Sequence, residues 1–554
     1  MRVESETWLC IFGVLVAILL RCTTSLHPHS GQGKPPMFGD YEAQRHWMEI
    51  TVNLPLNEWY YNTSRNDLEY WGLDYPPLTA YHSYICGKFA EFINPDFVAL
   101  NESRGYESEE HKLFMRYTVL IVDFCLYIPA IILYFILTVK MYKKSDAEIK
   151  TESEKQTIPI SIQLSIILAL FYPGMILIDH GHFQYNCVSL AFAIYAITFL
   201  CIHQNILASI FFCLALNYKQ MELYHSLPFF LYLLSTCVPK PGQNAIAGFK
   251  KLFKIGLTVI ITFFVIWAPF LTNINDTKQV LHRLFPVARG VFEDKVANVW
   301  CALNVIFKFK LNFTNESMLR YCTIVTLTAV LPSGADLFLR PNVRKFVPAL
   351  INSSLAFFLF SFQVHEKSIL LAVIPVILYS HIEPLTCFWF LIISLFSMFP
   401  LIVKDELVLA FVALTTFYVA AIHIILEYSK GKQTKSQTPS NSVLTDMKQV
   451  LLDALQVQDG ESGLAFVRNL IEKREIFYDL VQYAVVISSL IGCVVLMLLM
   501  LIIEPPENYP DVFPLLISAY SCVHFVGFFI YFNIVQFKIP QAVEDVRHIK
   551  LKSD

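Results

Sequence analysis

Charge is what this chain has least of. Asp, Glu, Lys and Arg make up 16% of its 554 residues, against about a quarter in soluble domains. With 55% hydrophobic residues and a mean hydropathy of +0.51, that scarcity excludes an ordinary soluble protein. Metal-binding cysteine spacing is missing too. Most of the 13 cysteines lie inside apolar runs, as Cys125, Cys213, Cys322 and Cys493 do, where a thiol serves as a small hydrophobe. Cys86 and Cys301 sit in polar stretches and could oxidise if those stretches face an oxidising compartment. There is no glycine-rich phosphate loop, no internal repeat and no long low-complexity tract. A nucleotide site is therefore not expected, nor, with a net charge of -3, is a nucleic-acid partner.

What the chain does have is apolar runs, each long enough to cross roughly 30 Å of hydrocarbon. They predict an all-α polytopic membrane protein of about 14 transmembrane helices, near 8–26, 117–140, 159–179, 187–203, 205–217, 222–237, 255–272, 319–339, 346–363, 368–382, 385–403, 407–426, 476–503 and 511–535. The first is read as a signal anchor, because Glu4 and Glu6 spoil a basic leader and no small-residue cleavage site follows. Pro129, Pro173, Pro228, Pro269 and Pro375 fall in or beside the runs, which implies neighbouring helices that satisfy the freed carbonyls. The expected organisation is a catalytic bundle over 1–426, a cytosolic linker over 427–475, and the last two crossings with a tail over 476–554.

Loop charge orients the runs. Lys143, Lys144, Lys250, Lys251, Lys254, Arg340, Arg344, Lys345, Lys430 and Lys432 all fall on the side shared by both termini, which the positive-inside bias makes cytosolic. The sequons at Asn62, Asn101, Asn275, Asn312 and Asn315 fall on the opposite side, while the sixth, at Asn352, lies inside a span. Two loops on that far side are large. The first, near 27–116, alternates aromatic and polar residues and reads as amphipathic helices on the membrane surface. The second, near 273–318, carries Arg283, Arg289, Lys295, Lys308 and Lys310 against the charge bias, so an anion is expected there.

Six polar clusters stand where apolar runs meet far-side loops, around Asp40, Asp74, His180 to Asn186, Lys219 with Gln220, Arg289 to Lys295, and His365 to Lys367. Ionisable groups are expensive next to hydrocarbon, so their placement points to work done at that face. The inventory suits transfer of a sugar between two lipid-borne substrates. A lipid-phosphate sugar already carries a good leaving group. Such an enzyme needs a carboxylate base for the acceptor hydroxyl and cationic or imidazole donors for the departing phosphate. Asp40 is the first candidate base, although an acid ahead of a helix can equally be an N-cap. Asp74 is the second candidate and Asp179 the third. His180, His182, Gln184, Asn186, Lys219, Arg289, Lys295, His365 and Lys367 are candidate substrate or phosphate ligands. Each has a plainer reading as a hydrated loop or a local ion pair. Two imidazoles at i and i+2 could also bind a metal, but no third ligand stands at an interpretable spacing.

The strings Gly39-Asp40-Tyr41-Glu42-Ala43-Gln44-Arg45-His46-Trp47, Tyr70-Trp71-Gly72-Leu73-Asp74-Tyr75-Pro76-Pro77-Leu78-Thr79-Ala80, His180-Gly181-His182-Phe183-Gln184-Tyr185-Asn186 and Phe362-Gln363-Val364-His365-Glu366-Lys367 closely resemble the dolichyl-phosphate-glucose-dependent α-1,3-glucosyltransferases of the endoplasmic reticulum, in the glycosyltransferase C class. The resemblance runs from about 20 to 535 and weakens over 427–475. Phe38 to Trp47 and Phe285 to Asn298 look more like the branch that adds the first glucose to the nine-mannose dolichyl-pyrophosphate oligosaccharide than like the sibling that adds the second. The resemblance implies a multi-pass endoplasmic reticulum protein with a lumenal site and Asp40 as base, transferring with inversion from dolichyl phosphate glucose. It also implies that His365 and Lys367 lie near the donor phosphate, and that no metal or cofactor is used. A lipid or solute transporter is the competing reading from another class, disfavoured by the missing repeat. A catalytically silent lumenal scaffold would not need Asp40.

Overall fold

Helices that are apolar on every face must be sheathed by others, whereas helices with one polar stripe line an edge; both kinds occur here. The structure, a computed structural model, describes residues 2–148, 160–239, 244–285, 295–434 and 463–540, and Arg289 lies outside them, as do most of the expected linker and the tail beyond 540. Among the described residues all regular structure is helical. The chain divides into two compact units, residues 1–421 with 517–554, and residues 422–516.

In chain order α1 (Arg2–Thr24) leads to α2 (Gly39–Asn53), α3 (Pro77–Ile93), α4 (Glu109–Val122) and α5 (Ile128–Glu148). Next come α6 (Ile162–Leu170), the short α7 (Pro173–Ile176), α8 (Asn186–Cys201), α9 (Asn205–Tyr218), α10 (Leu223–Ser235) and α11 (Ala245–Trp267). Then follow α12 (Ile274–Leu284), α13 (Val299–Phe307), α14 (Phe309–Asn312), α15 (Asn315–Leu339), α16 (Val343–Phe360) and α17 (Leu370–Tyr379). The series closes with α18 (Pro384–Ser397), α19 (Phe399–Lys404), α20 (Val408–Thr434), α21 (Gly463–Ile502) and α22 (Val512–Lys538).

Among the described residues nine helical stretches are long and apolar enough to cross a membrane, and α8, α9 and α18 are shorter apolar helices. The molecule is an all-α polytopic membrane protein. The runs expected to span fall on helical structure, several of them broken into two helices, and α8, α9, α10, α17 and α18 have only 16, 14, 13, 10 and 14 residues. α8 is buried on nearly every face, packed between α5 and α9. α11 buries only Ile255 and Ile266.

The first large loop departs from expectation. α2 is not an amphipathic surface helix, because eleven of its residues from Tyr41 to Thr51 are buried. Its charges satisfy one another. Arg45 donates to Glu42 Oε2 at 2.7 Å, Glu42 Oε1 at 2.6 Å, Glu49 Oε2 at 2.7 Å and Ser103 Oγ at 2.6 Å. The i+3 and i+4 spacing of these acids is what lets one guanidinium reach both. α3 does keep an exposed apolar face of Ile85, Phe89, Phe92 and Ile93. Trp47, Ile50, Trp59, Tyr60 and Leu73 share a core with Phe270, Val280 and Leu284, so the two large loops fold against each other. Cys86 and Cys301 are buried in separate helices rather than joined in a disulfide. Asn352 is fully buried and donates to Gln536 Oε1 at 2.9 Å, consistent with its place inside a span.

Candidate functional site

Two chain reversals bring the site together. Gly31 and Gly39 have φ of +69° and +70°, and a Cβ on Gly39 would lie 2.6 Å from the Ser30 carbonyl carbon. Only glycine permits that approach with a left-handed backbone. The loop therefore closes on itself, with the Asp40 N–H donating to Ser30 Oγ at 3.2 Å and the Ser30 N–H donating to the His182 carbonyl at 3.0 Å. Asp40 is not an N-cap: it is the second residue of α2, and Phe38 holds the cap position. The second reversal is at Phe183, a non-glycine residue with φ 87° at the end of a π-helical stretch, Leu177–Phe183. Such strain and such π-bulges gather at functional sites. Arg116 fastens this turn to the first loop by donating to the carbonyls of Gly181 at 2.9 Å and Pro28 at 3.2 Å.

The carboxylate of Asp40 is the meeting point. Its Oδ2 accepts from Lys367 Nζ and from Gln184 Nε2 at 2.5 Å, and lies 3.1 Å from His182 Nε2. Asp40 remains 26% exposed and Lys367 17%, so an incoming group can reach them. Burial alone would raise the Asp40 carboxyl, but the Lys367 ammonium beside it holds it well below the usual carboxylate range. An ordered chain of donors continues from Gln184. Lys219 Nζ donates to Asn186 Oδ1 at 2.5 Å, Asn186 Nδ2 to Gln184 Oε1 at 2.9 Å, and Gln184 in turn to Asp40. Burial and the nearby Lys367 ammonium pull Lys219 down to about 8. Gln44, Tyr75, Thr79, Gln184, Asn186 and Lys219 line a small cavity beside this chain.

Other expected residues stand apart. Asp179 accepts from Asn186 Nδ2 at 2.8 Å and from the Cys187 N–H at 2.7 Å, and so orients the cluster from behind. His180 turns away to Asp123 Oδ2 at 2.8 Å, which also accepts from Arg21 Nε at 2.5 Å. That puts His180 in a buried ion cluster rather than with the other ligands. Asp74 presents its backbone carbonyl to Gln220 Nε2 at 3.0 Å. Lys295 is exposed, and its carbonyl accepts from Ser518 Oγ. His365 is exposed at the head of the 3-10 turn Glu366–Ile369 that carries Lys367. Among the described residues no three His, Cys, Asp or Glu side chains are grouped so as to hold a metal ion.

One participant was missed in the sequence. Asp405, buried in the turn between α19 and α20, accepts from His182 Nδ1 at 2.5 Å. The signal was present in Lys404-Asp405-Glu406, three charged residues between two apolar runs.

A partly exposed carboxylate–amide–ammonium cluster at the ends of membrane helices is the equipment of a glycosyl-transferring membrane enzyme. The chain belongs to the ALG6, ALG8 glycosyltransferase family, matching it over residues 14–531. It is 45% identical over 532 residues, 96% of this chain and 97% of the other, to the dolichyl pyrophosphate Man9GlcNAc2 alpha-1,3-glucosyltransferase of Gallus gallus. The probable enzyme of that name from Drosophila melanogaster is 44% identical over 94% of this chain and 97% of its own. The probable enzyme from Arabidopsis thaliana is 38% identical over 97% of this chain and 90% of its own.

Proposed function

We propose that the protein transfers glucose from dolichyl phosphate glucose to the Man9GlcNAc2 oligosaccharide on dolichyl pyrophosphate. An α-1,3 bond forms with inversion, at the lumenal face of the endoplasmic reticulum membrane, and both termini of the roughly 14-span chain lie in the cytosol. The observation that carries the reading is Asp40, a solvent-reachable carboxylate gripped by Lys367, Gln184 and His182 from distant segments, in a chain similar end to end to enzymes named for this acceptor.

In this reading Asp40 takes the proton of the acceptor hydroxyl as that oxygen attacks the anomeric carbon. Lys367, Lys219 and His365 face the departing phosphate, where cations stabilise the developing charge. Resting Asp40 is paired with Lys367, which blunts it as a base. A donor phosphate competes for the same ammonium and frees the carboxylate only when sugar is in place. The decisive experiment supplies the purified full chain with labelled dolichyl phosphate glucose and a nine-mannose lipid acceptor, followed by linkage analysis. An α-1,3-linked single glucose is expected. Transfer only to an acceptor already bearing one glucose would assign the sibling reaction, and no transfer to either would overturn the reading.

A further inference from the structure

His182 stands between two carboxylates and an ammonium. Its Nδ1 is 2.5 Å from Asp405 Oδ2, and its Nε2 is 3.1 Å from Asp40 Oδ2 and 3.0 Å from Lys367 Nζ. An imidazole nitrogen either donates or accepts. A bare Nε2 accepts from Lys367; a protonated one faces Asp40. With Asp405 Oδ2 as the acceptor, the proton stands on Nδ1 in both cases. The turn that carries Asp405 is built to reach this ring. Glu406 has φ 63°, Lys34 Nζ holds the Lys404 carbonyl at 3.1 Å and Glu406 at 3.3 Å, and a Cβ on Gly181 would lie 2.9 Å from Leu407. The charged groups facing the ring are Asp405 from the α19–α20 turn, Asp40 from α2 and Lys367 from the turn before α17. On the backbone side, the Ser30 N–H of the loop after α1 donates to the His182 carbonyl, and Arg116 of α4 holds the adjacent Gly181 carbonyl.

We propose that Asp405 is a positioning residue that keeps the His182 proton on Nδ1, so that Nε2 takes from Asp40 the proton Asp40 has removed from the acceptor. The idea rests on the proposed role of Asp40. In the transfer, the acceptor O–H bond breaks as the Asp40 O–H bond forms, and the acceptor oxygen bonds to the anomeric carbon. The bond from that carbon to the phosphate oxygen breaks, and its electron pair leaves with dolichyl phosphate. With Lys367 drawn to that phosphate, Nε2 is open, and the proton passes from Asp40 to His182. The imidazolium then lies against Asp405, and its proton returns to water after product release. Asp405 plays toward His182 the part a buried acid plays toward an imidazole in hydrolytic triads, holding the tautomer and the cation.

The test is the pH profile of transfer by the purified full chain carrying Asp405→Asn, which keeps a hydrogen-bond acceptor but removes the charge. The expected result is a fall in kcat of about tenfold or more, with donor KM within about twofold and the acid limb of the profile moved to lower pH. That movement follows because an imidazolium without its counter-charge loses its proton more readily. Asp405→Glu should restore most of kcat and the original limb. Wild-type kcat and limb in Asp405→Asn would overturn the proposal, and so would an equal loss in the Asn and Glu variants. If Asp405→Asn does not fold, Asp405→Ser, which also removes the charge, decides by the same limb. An inactive Asp40→Asn alongside a wild-type Asp405→Asn would sink the proton transfer alone. An active Asp40→Asn would sink the proposed base.

Discussion

Lys367 donates to the carboxylate of Asp40 across 327 residues of chain, and the same ammonium lies 3.0 Å from His182 Nε2. A cation placed between a base and an imidazole sets the protonation of both. Partial burial makes that contact consequential, since neither partner is fully hydrated.

Lys367→Met should weaken catalysis most at low pH. Without the ammonium, burial pushes the Asp40 carboxyl up, so a larger fraction is protonated at pH 6. Transfer should fall by at least about a hundredfold there and recover partly as pH rises. A pH–rate profile checks it; a uniform loss at every pH would remove Lys367 from control of Asp40.

Lys219 sits at the head of the donor chain with its ammonium lowered to about 8. A depressed lysine is charged below that value and neutral above it, so activity should decline as pH rises through about 8. Lys219→Arg, with a guanidinium that stays charged, should abolish that alkaline limb. An unchanged limb would assign it to another group.

His365→Ala should raise the donor KM by about tenfold, one charge-assisted contact's worth, while the acceptor KM stays near wild type. Substrate titrations separate the two. Equal effects on both would place His365 away from the donor phosphate.

Arg45→Met tests the buried frame of α2. It removes the one cation that Glu42 and Glu49 share in a buried frame, at a cost of about 3–5 kcal/mol. Burial would raise Glu49, but the His46 and Arg45 contacts lower it to about 2. Its contribution is thus fully present above the ordinary carboxylate range and is lost as pH falls toward 2. Thermal melts at neutral pH should show a marked loss of stability in the variant, and an unchanged melt would contradict the network's role.

The helices, the candidate base and several of its partners were legible in the sequence because apolar runs and interrupting charges are local patterns. Asp40, His182, Gln184 and Lys367 each stand at such an interruption. Their convergence on one carboxylate oxygen was not legible. It depends on the glycine-closed loop at 31–39 and the reversal at Phe183, which no periodicity encodes. His180 looked equivalent to His182, but residues two apart along a helical turn face different ways, and its partner Asp123 hides inside an apolar run. α2 misled for a related reason. Its charges suggested a wet face, whereas pairing at i+3 and i+4 let them be buried.

Asp40→Asn in the purified transfer assay tests the central claim most directly. The amide keeps the shape and can still meet Lys367 and Gln184, but it cannot take a proton. Glucose transfer should drop by about a thousandfold or more while dolichyl phosphate glucose still binds. Turnover near that of the unsubstituted protein would contradict the account.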